Sequence, residues 1–403
     1  MFDKYMNIDS VTTIRGRALV HFGFGAIEKM ADIAKELKDK GITRILVVST
    51  PTAYKVSGAW TPVEKALSAA GIQWSLYDRV TPNPETVAID EATQQGRAFG
   101  AQAVLGIGGG SPIDTAKSVA ILLEYPDKTG AELFEWKFTP ERALPIIAIN
   151  LTHGTGSEGN RVAVASVSGK KYKPAIACEC LYPTWSIDDP DLMMSLPPKQ
   201  ILYTSIDALN HVVEAATSTI TNPLAITLAR EVVALVAEYL PVAMANPQDR
   251  IARYHLAYAA LLGGMSFDNG FLHYTHALEH PLSGARPEIT HGLGLAILLP
   301  AVLENIYPAR AEVLADILAP IAPNLKPEAA DARKAAHAVE QWLFDQGATS
   351  KLTDENFTQN DLEELTELVF ATPSLSVLLS VAPTEATRDT VRDIYRKSLQ
   401  RLA

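Results

Sequence analysis

The sequence predicts an α/β N-terminal domain with a parallel sheet, followed by an all-α C-terminal domain. Three observations support this fold class. Short apolar runs alternate with helical stretches as far as residue 150, the strand signals end at Asp188, and from Pro198 onward Ala, Leu, Glu and Val recur at helical spacing. Because the prolines of DDPDLMMSLPP mark a boundary, we divide the chain into residues 1–188 and 189–403.

The N-terminal elements follow one another as β-α-β units. The strand-like runs RILVVS, GIQWSLYD, AVLGIGGG and PIIAIN occupy Arg44–Ser49, Gly71–Asp78, Ala103–Gly110 and Pro145–Asn150. Helix-like stretches separate them, one of which lies near Pro84–Phe99. Parallel sheets of this kind bind ligands outside the carboxyl ends of their strands. Period-two alternation around a glycine in Arg161–Cys178 predicts a hairpin after the last of these strands.

Composition and charge restrict the class of protein. The chain has 403 residues, of which 47% are hydrophobic and 20% charged, as in a globular protein with a sizeable core. A net charge of −11 argues against nucleic-acid and anionic-membrane partners, which need a basic surface. Cys178 and Cys180 are too close in sequence for an easy disulfide. With no signal peptide and no apolar membrane span, we expect a soluble, cytoplasmic protein.

A glycine-rich turn, Gly106–Lys117 (GIGGGSPIDTAK), lies between a predicted strand and a predicted helix. Glycines let the backbone approach a phosphate, and the free N–H groups at a helix start bind anions. Ser111 is expected as the N-cap, Pro112 at the first helical position and Asp114 in the first turn. A plain tight turn is the alternative, but a second polar loop, Leu151–Asn160, follows the next strand and favours a dinucleotide.

Four of the nine histidines lie in one apolar segment, Gly270–Gly292. His276 and His280 are four residues apart and share a helix face, as do Asp207 and His211, while His291 is expected in a loop. A carboxylate and several imidazoles of this kind suit a mononuclear Fe²⁺ or Zn²⁺ site. For a lone helical histidine the simpler interpretation is a hydrogen-bonded core residue, and we adopt it for His255, His273 and His337.

Four motifs in order, GGGSPIDTAK, THGTGSE, SIDALNHVVEA and HALEHPLSG with a later HG, resemble the iron-containing (group III) alcohol dehydrogenase family. The resemblance extends from Phe22 to about Pro300. It implies a nucleotide-binding domain over residues 1–188 and a metal-binding, catalytic helical domain over residues 189–403. In the family pattern the metal is held by an Asp and three His, which match Asp207, His211, His276 and His291, and His280 is not a ligand.

The resemblance also assigns the cofactor residues. The two nucleotide loops match Gly108, Gly109, Gly110, Ser111, Asp114, Thr152, Thr155 and Ser157. The adenine-side loop TPNP matches at Asn83, and YKPAI places Lys173 near the cofactor. Two departures stand out: His276 and His291 are 15 positions apart, one more than in the commonest members, and Thr50 replaces an aspartate found in many of them.

The implied activity is the NAD(P)-dependent interconversion of a small alcohol and its aldehyde. NAD is the expected cofactor with NADP tolerated, and Fe²⁺ the expected metal with Zn²⁺ as the alternative. The metal would polarise the carbonyl, and His280 would relay the alkoxide proton. Arg161 and Arg286 suggest an anionic short aldehyde, such as a sulfo- or carboxy-aldehyde, unless they form surface ion pairs.

Three alternatives stay open. One is a polyol dehydrogenase of the glycerol-dehydrogenase type, and another is a lyase of the dehydroquinate-synthase type, which needs many Lys and Arg for a phosphorylated substrate. Apart from Arg286, the helical-domain motifs contain no such residue. The third is a non-catalytic nucleotide-binding protein with a structural metal. The expected partners are a small-molecule substrate and further copies of the chain, in a homodimer or higher homo-oligomer.

Overall fold

The computed structural model describes residues 2–7 and 11–402. The chain divides into two compact units. The first, here called the α/β unit, comprises residues 17–197 and 247–261. The second, the helical unit, comprises residues 198–246 and the described parts of 1–16 and 262–403.

The secondary structure changes character near residue 190. The described strands are β1 (Val20–Phe22), β2 (Arg44–Ser49), β3 (Gln73–Tyr77), β4 (Ala103–Gly108), β5 (Ile146–Asn150), β6 (Val162–Val164), β7 (Ala175–Ala177) and β8 (Trp185–Asp188). The helices that accompany them are α1 (Met30–Asp39), α2 (Ala53–Val56), α3 (Trp60–Ala70), α4 (Thr86–Phe99), α5 (Gly110–Glu124) and α6 (Gly130–Phe134). Later helices are α7 (Pro198–Thr217), α8 (Pro223–Ala245), α9 (Arg250–Gly270), α10 (Tyr274–Ala285), α11 (His291–Ile317), α12 (Ala332–Asp345), α13 (Leu362–Ala371), α14 (Pro373–Ser380) and α15 (Arg388–Ser398).

Six strands of the α/β unit form one parallel sheet in the order β1-β8-β5-β4-β2-β3. The chain passes outward from β2 to β3 on one side, and from β4 through β5 to β8 on the other. The direction of winding therefore reverses between β2 and β4. In open α/β sheets, ligands bind at the carboxyl ends of the strands at such a reversal. Thr50 follows β2 and Gly109 follows β4, so both flank this point.

Both faces of the sheet are buried, which explains the uninterrupted apolar runs of its strands. Ile45 and Val47 of β2 belong to the core that includes Met30 and Leu37 of α1. Leu46 and Val48 belong to the opposite core, which includes residues of α4 and α5. Alternate residues of one strand thus serve two cores, as the pleat of a strand requires.

The helical unit is built around α7 and α11, which pack against each other. By length and composition alone, α11 is apolar enough to cross a membrane, but 78% of its most apolar window is buried in the protein. A core helix of a globular protein has this character, so the finding is weak evidence for a membrane span. The helix is kinked at Arg310, whose φ of −136° is not helical.

The predicted fold class is confirmed, and each of the four predicted strand runs contains a strand of the sheet. The hairpin is confirmed as the antiparallel pair of β6 and β7. Two strands were missed, β1 and β8, which have only three and four residues and gave no extended apolar signal. The boundary placed after residue 188 stays a prediction, as does the division of roles between the two domains.

Candidate functional site

Three histidines of the helical unit converge on one carboxylate oxygen, Asp207 Oδ1. The Nε2 atoms of His211, His276 and His291 lie 3.3, 3.5 and 3.8 Å from it. The rings of His211 and His276 stack, with centroids 4.8 Å apart and planes 13° from parallel. Four side chains that lie up to 84 positions apart in sequence, between Asp207 and His291, are therefore brought into one cluster.

This cluster is buried but incompletely hydrogen-bonded. Asp207 is 4% exposed and His276 is 2% exposed. Asp207 Oδ1, His276 Nε2 and His211 Nδ1 have no hydrogen-bond partner among the residues that the structure describes. Buried polar atoms without partners cost free energy unless a ligand satisfies them. The side chain of His291 is 24% exposed, so the cluster is open on that side.

The spacing of these atoms fits a metal ion. Ligand atoms at 2.0–2.2 Å from a tetrahedral centre are about 3.4 Å apart. The observed separations of 3.3–3.8 Å from Asp207 Oδ1 agree with that value. One carboxylate with three imidazoles is also a donor set that suits Fe²⁺ or Zn²⁺. Asp207, His276 and His291 can place one ligand atom each within 4.8 Å of one another, so these three fit the metal implied by the sequence, and His211 Nε2 lies 3.3 Å from the Asp207 oxygen.

Burial and neighbouring charges set the protonation of these groups. Burial opposes the charged form of Asp207, but His211 and the other histidines hold the pKa of its carboxyl well below the usual range. Burial lowers the pKa of His211 to about 4, so its imidazole is neutral at pH 7. Burial opposes protonation of His276 too, but Glu214 and Asp207 raise its pKa to about 9. A metal bound there would displace a proton from His276.

The helices determine which side chains reach the cluster. Asp207 and His211 lie one turn apart on α7, and His276 lies in the first turn of α10. His291 was expected in a loop, which is wrong: it is the first residue of α11, after the N-cap Thr290. The next residue, Gly292, permits close contact with α7, since a Cβ there would lie 2.0 Å from the Tyr203 carbonyl oxygen. Close packing of α11 on α7 thus brings His291 to Asp207.

The remaining histidines of the segment differ in their surroundings. His273 was expected to be a hydrogen-bonded core residue, and this is confirmed: its Nε2 lies 2.9 Å from Thr217 Oγ1, and its Nδ1 accepts from Tyr274 N. His280 is 4% exposed, and its ring centroid is 5.8 Å from that of His291. Glu279, His280 and His291 can also place one ligand atom each within 4.8 Å of one another.

Two buried glutamates beside the cluster were missed. A carboxylate oxygen of Glu214 is hydrogen-bonded to Nδ1 of His276, and one of Glu279 is hydrogen-bonded to Nδ1 of His291. Burial would raise the pKa of Glu214, but His276, His273 and backbone amides lower it to about 2. A signal was present in the sequence, because each glutamate follows a cluster histidine by three residues, in HVVE and HALE.

In the α/β unit, the two predicted nucleotide loops pack directly on each other. A Cβ on Gly109 would lie 2.8 Å from the Thr152 side chain, and one on Gly110 would lie 2.6 Å from that of Thr155. Only glycine leaves room for this contact. The loops also share hydrogen bonds, since Ser157 Oγ donates to Asp114 Oδ1 at 2.6 Å. Gly108 ends β4 at the same edge of the sheet.

The details of the first loop differ from those predicted. The N-cap of α5 is Gly109, and Ser111 lies inside the helix, so the prediction of Ser111 as N-cap and Pro112 as the first helical residue is wrong. The helix begins earlier because the glycines themselves adopt its first turn. Asp114 consequently lies beyond that turn, where its carboxylate accepts from Ser157 Oγ and from Val164 N. Burial raises its pKa. These contacts tie α5 to the second loop and to β6.

Lys117 organises the second loop, and its role was not recognised from the sequence. Its side chain is fully buried, and its Nζ donates to the carbonyl oxygens of Ser157, Asn160 and Val162 at 2.7, 3.0 and 2.8 Å. A buried ammonium is tolerated only where its donors are satisfied. Lys117, the last residue of the motif GGGSPIDTAK, thus holds the second loop, THGTGSEGN, in place.

The other predicted cofactor residues lie at the same sheet edge or near it. Thr50 Oγ1 accepts from Ala53 N at 3.2 Å, at the start of α2. Asn83 has a left-handed φ of 51°, and its Oδ1 accepts from Lys173 Nζ at 2.9 Å. Two residues that were assigned separately, 90 positions apart, are therefore in contact.

A pair of buried acids lies beneath these loops. Glu158 and Asp188 are both fully buried, and Glu158 has no hydrogen-bond partner for either carboxylate oxygen within the described chain. Burial raises the pKa of Glu158 to about 7, and burial together with Glu158 raises that of Asp188 well above its usual value. At neutral pH the pair therefore holds protons that ordinary carboxyls would release.

The two arginines that suggested an anionic substrate both have protein partners. Arg286 donates to the Asn356 carbonyl oxygen at 2.8 Å, lies 3.8 Å from Asp361, and covers the Phe357 ring at 4.3 Å. Arg161 is 9% exposed and lies 3.7 Å from Glu179. These contacts favour the alternative of ion pairs, which was expected at the surface, although Arg161 is buried.

Two family models and several known proteins match the chain. A family model described as iron-containing alcohol dehydrogenase matches residues 18–190, and one for the C-terminal part of the Fe-containing alcohol dehydrogenase family matches residues 201–399. The chain is 54% identical to the long-chain primary alcohol dehydrogenase AdhA of Thermoanaerobacter ethanolicus, over 99% of this chain and 100% of that protein.

Two further proteins are similar to the chain over most of its length. The sulfoacetaldehyde reductase of Bilophila wadsworthia (strain 3_1_6) is 32% identical, over 75% of this chain and 77% of that protein. The crystal structure of an NADH-dependent butanol dehydrogenase A from Thermotoga maritima superposes with a TM-score of 0.89 at 27% identity, covering 98% of this chain and 100% of that one.

Replacing Lys117 with Met should destabilise the protein. Three carbonyl oxygens, of which those of Ser157 and Asn160 are buried, lose their donor, and each buried unsatisfied group costs about 1–3 kcal/mol. Urea unfolding measures the loss. The control is Lys128→Met, which removes a partly exposed pair with Glu132 and a contact with the Phe138 ring at 5.5 Å, and it should cost less than about 1 kcal/mol. Equal effects of the two substitutions would contradict the anchoring role of Lys117.

Replacing Glu158 with Gln should stabilise the protein at pH 8 and leave it nearly unchanged at pH 4.5. A carboxyl whose pKa is higher in the folded state, here about 7, contributes stability below its unfolded pKa and loses it as the pH rises through 7. The gain at pH 8 is on the order of 3 kcal/mol at most. Thermal melting at both pH values tests this, with exposed Glu64→Gln as the control. A lower melting temperature of Glu158→Gln at pH 8 would show that the ionised carboxylate is stabilised.

Proposed function

Because the chain belongs to the iron-containing alcohol dehydrogenase family, we propose that it transfers a hydride between a nicotinamide cofactor and a small primary alcohol or its aldehyde. The observation that carries the proposal is the convergence of three imidazoles on Asp207. Divalent iron held by Asp207, His211, His276 and His291 would supply Lewis acidity toward a carbonyl oxygen. A bound nicotinamide would supply the hydride chemistry.

The two halves of the chain have separate roles in this proposal. Residues 1–188 bind the dinucleotide, and residues 189–403 hold the metal and the substrate. The candidate cofactor residues are Thr50, Asn83, Gly108, Gly109, Gly110, Ser111, Asp114, Thr152, Thr155, Ser157 and Lys173. Their place at the carboxyl edge of the sheet, beside the reversal of winding, supports this assignment. Asp114 acts within it by holding Ser157, since its carboxylate is already engaged.

In this proposal the side chains of the metal site have different chemical roles. Asp207 supplies the negative charge and the histidines supply neutral nitrogens, which leaves a net charge of +1 at a divalent site. His280, buried next to His291, would accept or return the proton of the substrate hydroxyl. Histidine suits this task because its pKa lies near neutral pH.

An uncharged substrate is favoured over an anionic one. Arg161 and Arg286 are paired within the protein, and two similar proteins are named for long-chain primary alcohols and for butanol, which are uncharged. One related protein is named as a sulfoacetaldehyde reductase, and its substrate is an anionic aldehyde. The lyase alternative is not favoured, because its phosphorylated substrate needs a cluster of cations that the described metal site does not include.

The cofactor preference follows from Thr50. An acidic residue at this strand end would hydrogen-bond the ribose and repel a 2′-phosphate. Thr50 removes that repulsion, but its hydroxyl is already bonded to Ala53 N, and the nearby Lys55 ammonium lies over the Tyr54 ring at 5.0 Å. With neither repulsion nor a dedicated cation, NAD(H) is preferred and NADP(H) tolerated. We also propose a cytoplasmic homo-oligomer, on the resemblance alone, which light scattering would check.

Metal analysis tests the ligand set. His276→Ala should lose bound metal and turnover together, because it removes one of four ligands. His280→Ala should keep the metal but lose about 10²- to 10⁴-fold in rate, as expected for a general acid–base group. Metal content by inductively coupled plasma mass spectrometry and steady-state rates distinguish the two. Full metal content and normal turnover in His276→Ala would refute the assignment, and metal loss in His280→Ala would make it a ligand.

A panel of aldehydes with both cofactors tests the substrate class. Butanal should exceed acetaldehyde in kcat/KM, since each buried CH₂ is worth about 0.8 kcal/mol, or up to about 15-fold for two. Sulfoacetaldehyde should be the poorest of the three. NADH should be preferred over NADPH. A preference for the anionic aldehyde would reverse the assignment of the arginines, and an NADPH preference above about 100-fold would reveal an unidentified phosphate-binding group.

A further inference from the structure

The candidate metal site contains the pattern His-x-x-Glu twice. His211 and Glu214 lie on α7, and His276 and Glu279 lie on α10, each pair on one helix face. Yet neither glutamate bonds the histidine of its own helix at Nδ1. Glu214 bonds Nδ1 of His276 on α10, and Glu279 bonds Nδ1 of His291 on α11. The contacts therefore run in one direction along the chain, from α7 to α10 to α11.

Glu214 does more than bond a histidine. Its Oε1 accepts from the backbone N–H groups of His273 and Thr275 at 3.2 and 2.5 Å, and its Oε2 accepts from that of His276 at 3.3 Å. These are free amides at the start of α10, where a negative charge is also favoured by the helix dipole. One buried carboxylate thus holds the first turn of α10 and the ring of His276 together.

Glu279 reaches His291 because α11 leaves space for it. A Cβ on Gly294 would lie 2.8 Å from Glu279 Cγ and 3.2 Å from its Oε1. Glu279 is fully buried, as is Glu214. A side chain at position 294 would push the carboxylate away from His291, which lies one turn before it on α11.

We propose that Glu214 and Glu279 are positioning residues, each of which orients the metal-binding histidine of the next helix. A carboxylate can only accept, so the Nδ1 of each imidazole carries a proton, which leaves Nε2 as the nitrogen available to a metal ion. Such a carboxylate also raises the basicity of the ligand, and its loss typically costs 10–100-fold in metal affinity or activity. The inference rests on the proposed function, in that the three Nε2 atoms hold a metal ion.

His211, the first histidine of the series, is held differently. Its Nδ1 has no hydrogen-bond partner in the described residues. Its ring lies instead between those of His276, at 4.8 Å, and Phe267, at 4.6 Å. These ring contacts restrain the orientation of His211, but they do not determine which of its nitrogens carries the proton.

Cobalt binding to the full-length protein tests the proposal. The metal is removed with a chelator, and Co²⁺ affinity is measured by competition, while the visible d–d bands report the ligand geometry. Glu279→Gln should raise the Kd for Co²⁺ about 10–100-fold, alter the d–d bands, and leave one Co²⁺ per chain. Glu214→Gln should raise the Kd similarly and also lower the melting temperature of the metal-free protein, because one of the two acceptor oxygens at the start of α10 becomes an NH₂ donor and the negative charge is lost. If Glu279→Gln does not fold, Gly294→Ala displaces the same carboxylate.

The control is Glu340→Gln, a buried carboxylate of the helical unit that pairs with Lys351 at 2.6 Å; it should lower stability without changing the Kd. His291→Ala should abolish Co²⁺ binding. If it does and Glu279→Gln binds Co²⁺ like the wild type, the positioning role is overturned and the metal site stands. If Glu279→Gln loses Co²⁺ as completely as His291→Ala, Glu279 is itself a ligand and the proposal fails. Unchanged Co²⁺ binding by His291→Ala would overturn both the ligand set and the inference.

Discussion

The carboxylate of Glu214 is the contact on which the geometry of the helical unit's site depends. It accepts hydrogen bonds from three backbone amides at the start of α10 and is hydrogen-bonded to the ring of His276. The position of α10 and the orientation of its histidine are therefore coupled through one group on α7. Because α7 also carries Asp207 and His211, a single helix holds two of the candidate ligands and the support for a third.

In the α/β unit a buried cation, the Lys117 ammonium, likewise fixes the conformation of a polar segment. Lys117 is buried and satisfied by carbonyl oxygens of the loop that follows β5. In both units a buried charge, rather than apolar packing, sets the shape of a polar segment. The reason is that a charge buried without partners is costly, so the surrounding backbone adopts the conformation that satisfies it. Apolar contacts have no comparable directionality.

Where the sequence interpretation differed from the structure, local rules had been applied to residues with tertiary partners. Ser111 was assigned to the N-cap by residue preference, but α5 begins at Gly110, where the absence of a side chain allows contact with Thr155. His291, just before Gly292, was assigned to a loop, yet α11 begins there and packs on α7. Arg286 was considered for a substrate, but it caps the 356–361 segment instead.

The sequence by itself determined the fold class, the four longer sheet strands and the candidate carboxylate and imidazoles of a metal site, while the choice of four ligands among them came from the family resemblance. These depend on periodicity, on strand-to-helix turns and on histidine and aspartate spacing, all of which are local properties. Only the tertiary structure decided which atoms face one another. Glu214 is hydrogen-bonded to His276 and Glu279 to His291, so each hydrogen bond joins two helices. The spacing His-x-x-Glu within one helix does not predict these pairs. Such pairings arise from the packing of α7, α10 and α11, in which close approach at Gly292 and Gly294 sets the distances between side chains far apart in the chain.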